Sequence, residues 1–138
     1  MTSGIKITKD IRPLEALIKK TGGDLGDWLR GVAGEMANDV ILSLGTSPRG
    51  RAYPRGNGKV HYASTPGNPP NIDTGTLRAS IRAIKKGKLT FWVADGVEYG
   101  HALEMGTTRI APRPFIRPVF DRWGNGKLAD SLEAWLKR

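Results

Sequence analysis

The chain has 138 residues and a mass of about 15.0 kDa, which is one domain by length and enough to bury roughly two thirds of its unfolded surface. With 38% hydrophobic and 25% charged residues, wholesale disorder is excluded, and the absence of cysteine excludes disulfide scaffolds, thiol nucleophiles and cysteine-held zinc. The net charge is +9 and all of it lies from Arg49 onward, because residues 1–48 carry six basic and six acidic side chains. An excess placed on one side of the sequence points to a polyanion or an acidic protein surface as partner, or simply to a solubilising charge.

Residues 1–9 read as a loose arm. Pro13 can open a short helix with Leu14, Leu17 and Ile18 on one face, stopped by Gly22-Gly23. Asp24 then stands at an N-cap position and Asp27 in the electropositive first turn. From Leu25 to Leu44 the apolar residues step by three and four, up to a capping Gly45, so a helix of about 20 residues and about 30 Å is expected. Gly26, Gly31 and Gly34 each cost up to about 1 kcal/mol there relative to alanine, either because another backbone packs closely or for no gain.

Residues 46–72 change character. Proline, glycine and the bases Arg49, Arg51, Arg55 and Lys59 dominate, and no acid appears before Asp73. Such a segment buries too little apolar area to offset its ordering entropy, so a mobile basic loop is expected, ordered by a partner or without a role.

Asp73 or Thr74 can cap a short helix with Leu77, Ile81 and Ile84 inward. Lys88–Ala94 alternates like a half-buried strand, and Asp95-Gly96 signals a turn back into a second element from Val97. Val97–Met105 fits a strand or a short helix, and Tyr99, Ala102 and Leu103 favour the helix. Thr107–Ala111 fits a further short strand. Pro118 can open a helix over Val119–Trp123, Gly124-Asn125-Gly126 interrupts, and Leu128, Leu132, Trp135 and Leu136 mark a last amphipathic helix. The expected architecture is one α+β domain over residues 1–138, with a long N-terminal amphipathic helix and a C-terminal helix packed on a small antiparallel sheet, and a long basic loop.

Chemistry-bearing motifs are scarce. Neither Gly-Asn-Gly-Lys run has the glycine that a phosphate-binding loop requires, and no nucleophile elbow occurs. His101 and Glu104 are spaced for one helical face, but two ligands without a third do not make a metal site. Glu104 is expected to pair with Arg109 or Arg113. No catalytic, cofactor-binding or metal residues are assigned. Cations at 49–59, 78–88 and 109–122, with Tyr53, Tyr62, Phe91 and Trp92 nearby, suit sequence-independent phosphate contact, and Trp92 can stack on a base or pack in a core or interface.

Three blocks then stand in order: Pro66-Gly67-Asn68-Pro69-Pro70 running into Asp73-Thr74-Gly75-Thr76-Leu77-Arg78-Ala79-Ser80-Ile81; Tyr99-Gly100-His101-Ala102-Leu103-Glu104-Met105-Gly106-Thr107; and Ala111-Pro112-Arg113-Pro114-Phe115-Ile116-Arg117-Pro118. Together they resemble the tail-completion, or head–tail joining, proteins of long-tailed double-stranded DNA phages. His101 departs from the small or aromatic residue expected there, and the Gly-Asn-Gly break shortens the last helix. The resemblance implies a non-enzymatic virion subunit, made in the host bacterial cytoplasm and placed at the head–tail junction. It implies a ring, expected to be hexameric, between the head connector and the tail tube or tail terminator proteins, which leaves a path for double-stranded DNA and touches no membrane. The alternative is a small sequence-independent nucleic-acid-binding protein.

At the residue level, Gly106 suits a backbone conformation closed to other residues, beside Thr107, and Glu104 suits an anchor for the arginine-rich segment that follows. In Arg113-Pro114-Phe115-Ile116-Arg117 the prolines stiffen the chain, Phe115 and Ile116 offer apolar anchors, and the arginines offer bidentate pairs, either in a core turn or at a subunit interface. Arg49, Arg51, Tyr53, Arg55 and Lys59 are the candidates for reaching a partner.

Overall fold

The computed structural model describes residues 12–21 and 24–138. The arm at 1–9, the Gly22-Gly23 stop and the side chains of Leu14, Leu17 and Ile18 lie outside the described residues. Helix α1 covers Arg12–Thr21 and α2 covers Leu25–Ser43. Asp24 caps α2 through a carboxylate that accepts the Gly26 N–H at 2.6 Å, and Gly45 leaves the helix with φ +85°. Trp28, Val32, Met36, Ala37 and Val40 bury one face of α2. Gly26 lies close to the Lys88 carbonyl, while Gly31 and Gly34 border open space, so close packing accounts for only the first of the three.

Residues 46–72 are built differently from the expected loop. Strands β1 (Arg49–Pro54) and β2 (Val60–Ser64) pair antiparallel, with Tyr53 opposite His61, and a 3₁₀ turn at Gly56–Gly58 joins them. Asn57 adopts φ +64° and Gly58 φ +74°, the left-handed geometry that Asn-Gly supplies in a hairpin connection. Residues 51–60 are exposed throughout, and neither strand adds a side chain to the hydrophobic core.

Helix α3 (Thr76–Ser80) is shorter than expected and starts from Gly75 at φ +86°, with the Thr74 hydroxyl, one of the two expected caps, accepting the Thr76 N–H at 3.4 Å. Asp73 turns to Arg55 instead. Ile84 belongs to strand β3 (Arg82–Gly87), which pairs antiparallel with β4 (Thr90–Ala94). The partner of β4 is therefore the segment before it, and no element returns from Val97 to pair with it. The reason is local: Gly87-Lys88-Leu89 makes the tight connection, whereas Asp95-Gly96 leads to α4 (Gly100–Met105). Thr107–Ala111 forms no strand; residues 108–110 bend, and the Thr107 N–H donates to the Ile110 carbonyl across them.

Helix α5 (Arg117–Arg122) carries Pro118 in its first turn. A π-type turn over Trp123–Lys127, with Gly126 at φ +137°, joins it to α6 (Leu128–Leu136). The core unites α2 with Leu77, Ile81, Phe115, Val119 and Trp123, while Leu89, Val93, Leu103, Leu132 and Trp135 pack around it. The fold class is α+β, with two separate two-stranded antiparallel sheets in place of a single one.

Candidate functional site

The three motif blocks meet at one junction. Gly67 N–H donates to the Pro112 carbonyl at 2.9 Å, which joins the first block to the third. Arg113 N–H donates to the Leu103 carbonyl at 2.6 Å, which joins the third to the second. The Arg113 guanidinium also reaches the Ser64 carbonyl at the end of β2, 3.2 Å from Nε, and donates to the Ala111 carbonyl. Segments 64–67, 103–107 and 111–117 thus form one hydrogen-bonded unit at the root of the hairpin.

Glu104 sits at its centre and anchors the arginine-rich segment as expected, but not through an arginine side chain. Its Oε2 accepts the N–H groups of Phe115 at 2.8 Å and Ile116 at 3.0 Å, and its Oε1 accepts that of Arg117 at 2.8 Å. The carboxylate of α4 therefore closes the amino end of α5, where unpaired N–H groups favour an anion. Arg109 and Arg113 are not its partners; anchoring of the arginine-rich segment runs through backbone donors. His101, three residues earlier, is exposed on α4.

The turn between α4 and this segment depends on Gly106 and Thr107. Gly106 has φ +73°, and a Cβ there would lie 2.8 Å from Pro112 Cδ and 2.9 Å from its nitrogen. Thr107 N–H donates to the Ile110 carbonyl at 2.8 Å, while its Oγ1 accepts the N–H groups of Arg109 and Ile110. Phe115 is fully enclosed in the chain's own core, so it offers nothing to a partner; Ile116 and Pro114 are half-buried beside it, and Arg117 pairs with Asp121 at 3.0 Å.

Above the junction stands the hairpin. Tyr53 stacks on His61 with ring centroids 6.5 Å apart, and Arg51 lies over Tyr53 at 5.3 Å. Arg49 lies over Tyr62 at 4.8 Å. Arg55 pairs with Asp73 through both guanidinium and carboxylate, and His61 Nδ1 is 3.9 Å from the same carboxylate. His61 is thereby tucked against the body instead of lying open in a loop. Tyr53, His61, Asp73, Arg78, Tyr99 and Arg113 line a cleft of about 440 Å³ between hairpin and body. Lys59 is exposed at the hairpin's end.

No protein-family model matches the chain, and comparison with curated proteins and with solved structures finds no match either. The geometry therefore carries the functional reading. Among the described residues no three His, Asp or Glu side chains are grouped to hold a metal ion, and no helix is long and apolar enough to cross a membrane. A second polar cluster lies on the far end of α2. The Asp39 carboxylate accepts Trp123 Nε1–H at 2.9 Å and the Lys127 ammonium at 2.5 Å. Burial alone would raise its pKa; hydrogen bonds from Lys127 and Trp123 and the charges of Lys127 and Arg122 outweigh that and lower it. This cluster ties α2 to the π-type turn that follows α5.

Proposed function

We propose that the chain is a non-catalytic joining subunit of a phage neck, which assembles as a ring between head connector and tail tube and leaves a passage for DNA. The observation that carries this reading is the junction: the three blocks behind the resemblance, separated by up to about fifty residues, are hydrogen-bonded to one another beneath a projecting hairpin. A two-stranded hairpin is marginal by itself, so holding one away from the core needs such a base. The hairpin carries Arg49, Arg51, Tyr53, Arg55 and Tyr62, and arginine and tyrosine are the residue types enriched at protein interfaces. Its rings are already ordered by guanidinium groups, which lowers the entropy lost on docking. The partners that fit are a neighbouring copy, a connector protein and a tail-tube or terminator protein, with the virion as the place of action.

The test replaces residues 51–60 with a two-residue turn. The core loses nothing, so the variant unfolds at the wild-type urea midpoint to within about 1 kcal/mol in free energy. Electron microscopy and light scattering of the wild type show rings, alone or on isolated tail ends, and complementation with the variant gives no infectious particles. Normal particle yields, or virions that lack the chain, refute the proposal.

A further inference from the structure

Between Asp73 and Asp95 there is no acidic residue, and Arg78, Arg82, Lys85, Lys86 and Lys88 fall in that interval. The last four lie on β3 or in the turn that follows it, all exposed. None has an ion-pair partner among the described residues; Arg82 Nε only touches the Ser80 carbonyl at 3.3 Å. Several other cations are engaged: Arg55 with Asp73, Arg113 with carbonyls, Arg117 with Asp121, Lys127 with Asp39. Cross-strand register puts Ile84 and Trp92 side by side, while Val93, on the opposite face of β4, packs on the core. Trp92 therefore lies on the outer face, 38% exposed, with the Lys86 ammonium 4.6 Å from its ring centroid. The ring holds that ammonium in place and leaves its charge uncompensated.

We infer that β3 is a contact strip for the phosphate backbone of double-stranded DNA. Charge complementarity selects a polyanion. The choice of nucleic acid over an acidic protein rests on residue type. Lysine is depleted in the cores of protein interfaces, and the exposed ring of this strip, Trp92, carries the Lys86 ammonium on its face. The hairpin, rich in arginine and tyrosine, has the opposite character. Lys86 occupies the ring face that an unpaired base would need, which favours duplex over single strand. Contacts of this kind carry no sequence information, as suits DNA that slides past. The inference gives the DNA passage of the joining reading a surface, but it stands without that reading.

The test is a fluorescence-anisotropy titration of the full chain against a labelled duplex of about 20 base pairs, between about 50 and 200 mM salt. Wild type binds, and log affinity falls linearly with log salt. Replacing Arg82, Lys86 and Lys88 together by glutamine lowers the magnitude of that slope by about two to three and the affinity at low salt by about 10-fold or more. Lys86→Gln alone lowers it by about one, which keeps the test open should the triple variant misfold. The hairpin variant Arg49, Arg51, Arg55 and Lys59→Gln keeps the wild-type slope to within about one. The inference is overturned if wild type ignores duplex, if the hairpin variant takes the loss instead, or if polyglutamate competes as well as unlabelled duplex. Failure here leaves ring formation and virion incorporation untouched, and a duplex binder absent from virions sinks the joining reading alone.

Discussion

Replacing Glu104 by alanine leaves three backbone N–H groups without their acceptor. Those of Phe115 and Ile116 are partly buried, at 2.8 and 3.0 Å from Oε2, while that of Arg117 is exposed and can turn to water. A buried donor left unpaired costs about 1–3 kcal/mol; two that are only partly buried cost about 1–2 kcal/mol each, or about 2–4 kcal/mol together, with the exposed third adding little. Glu104→Gln separates charge from shape. Its single carbonyl oxygen can serve Phe115 and Ile116 together, as Oε2 does, but its amide then faces the Arg117 N–H donor to donor. About 1–2 kcal/mol is expected for that change, the loss of charge assistance included. Urea unfolding followed by tryptophan fluorescence measures both, because Trp123 lies in the core beyond α5. The slope with denaturant stays at the wild-type value and the midpoint falls, further for alanine than for glutamine. An alanine variant within about 0.5 kcal/mol of wild type would refute the idea that this carboxylate holds the segment.

Gly106→Ala forces a Cβ to within 2.8 Å of Pro112 at a positive φ, and a loss of at least about 2 kcal/mol in the same assay is expected. Gly31→Ala and Gly34→Ala sit in α2 with nothing within 4 Å, so each stabilises by about 0.5–1 kcal/mol; a loss at either would reveal a neighbour on that face. Asp39→Asn costs about 1–2 kcal/mol near neutral pH, through the hydrogen bonds to Trp123 and Lys127. The folded carboxylate titrates below its unfolded value, so its contribution is present above the ordinary carboxylate range and is lost as pH falls through the lower folded value. The gap between wild type and Asp39→Asn should thus be constant above about pH 5 and close in acid; a gap that widens in acid contradicts the assignment.

Helix α2 was legible because its cap, its apolar steps and its terminal glycine agree, and packing had nothing to override. The same holds for Pro118 and for the break at Gly124-Asn125-Gly126. The hairpin was hidden for a physical reason. A strand shows period-two alternation only if one face is buried, and residues 51–60 bury neither. The signal present was the turn: Asn57-Gly58 between Tyr53 and the β-branched and aromatic run Val60-His61-Tyr62. Ile84 misled because it continues the three- and four-residue steps of Leu77 and Ile81 while belonging to a strand. Glu104 was legible as an anchor but not as to its target. Side-chain charges invite pairing with Arg109 or Arg113, and the acceptor-hungry N–H groups of α5 appear only once the fold brings Phe115–Arg117 beside α4. The unpaired cations of β3 were visible as a charge run, but their freedom from acids is a fact of the folded chain.

On the proposed joining function, the junction and the surfaces it supports divide the work between stability and contact, and this separates two kinds of mutational effect. Glu104, Gly106, Thr107, Arg113 and Phe115 are spent inside the chain: three backbone donors, a turn, two carbonyls and an enclosed ring absorb them. Changes there act on assembly through the fraction folded, so a second stabilising change, such as Gly31→Ala, should restore function along with stability. Arg49, Arg51, Tyr53 and Lys59 contribute to no core and little to the folded state, since their contacts are exposed. Loss of assembly from changes there cannot be restored by stabilising the helix. An assembly defect at Tyr53 that Gly31→Ala repairs would place the hairpin with the scaffold and leave the chain without its proposed docking arm.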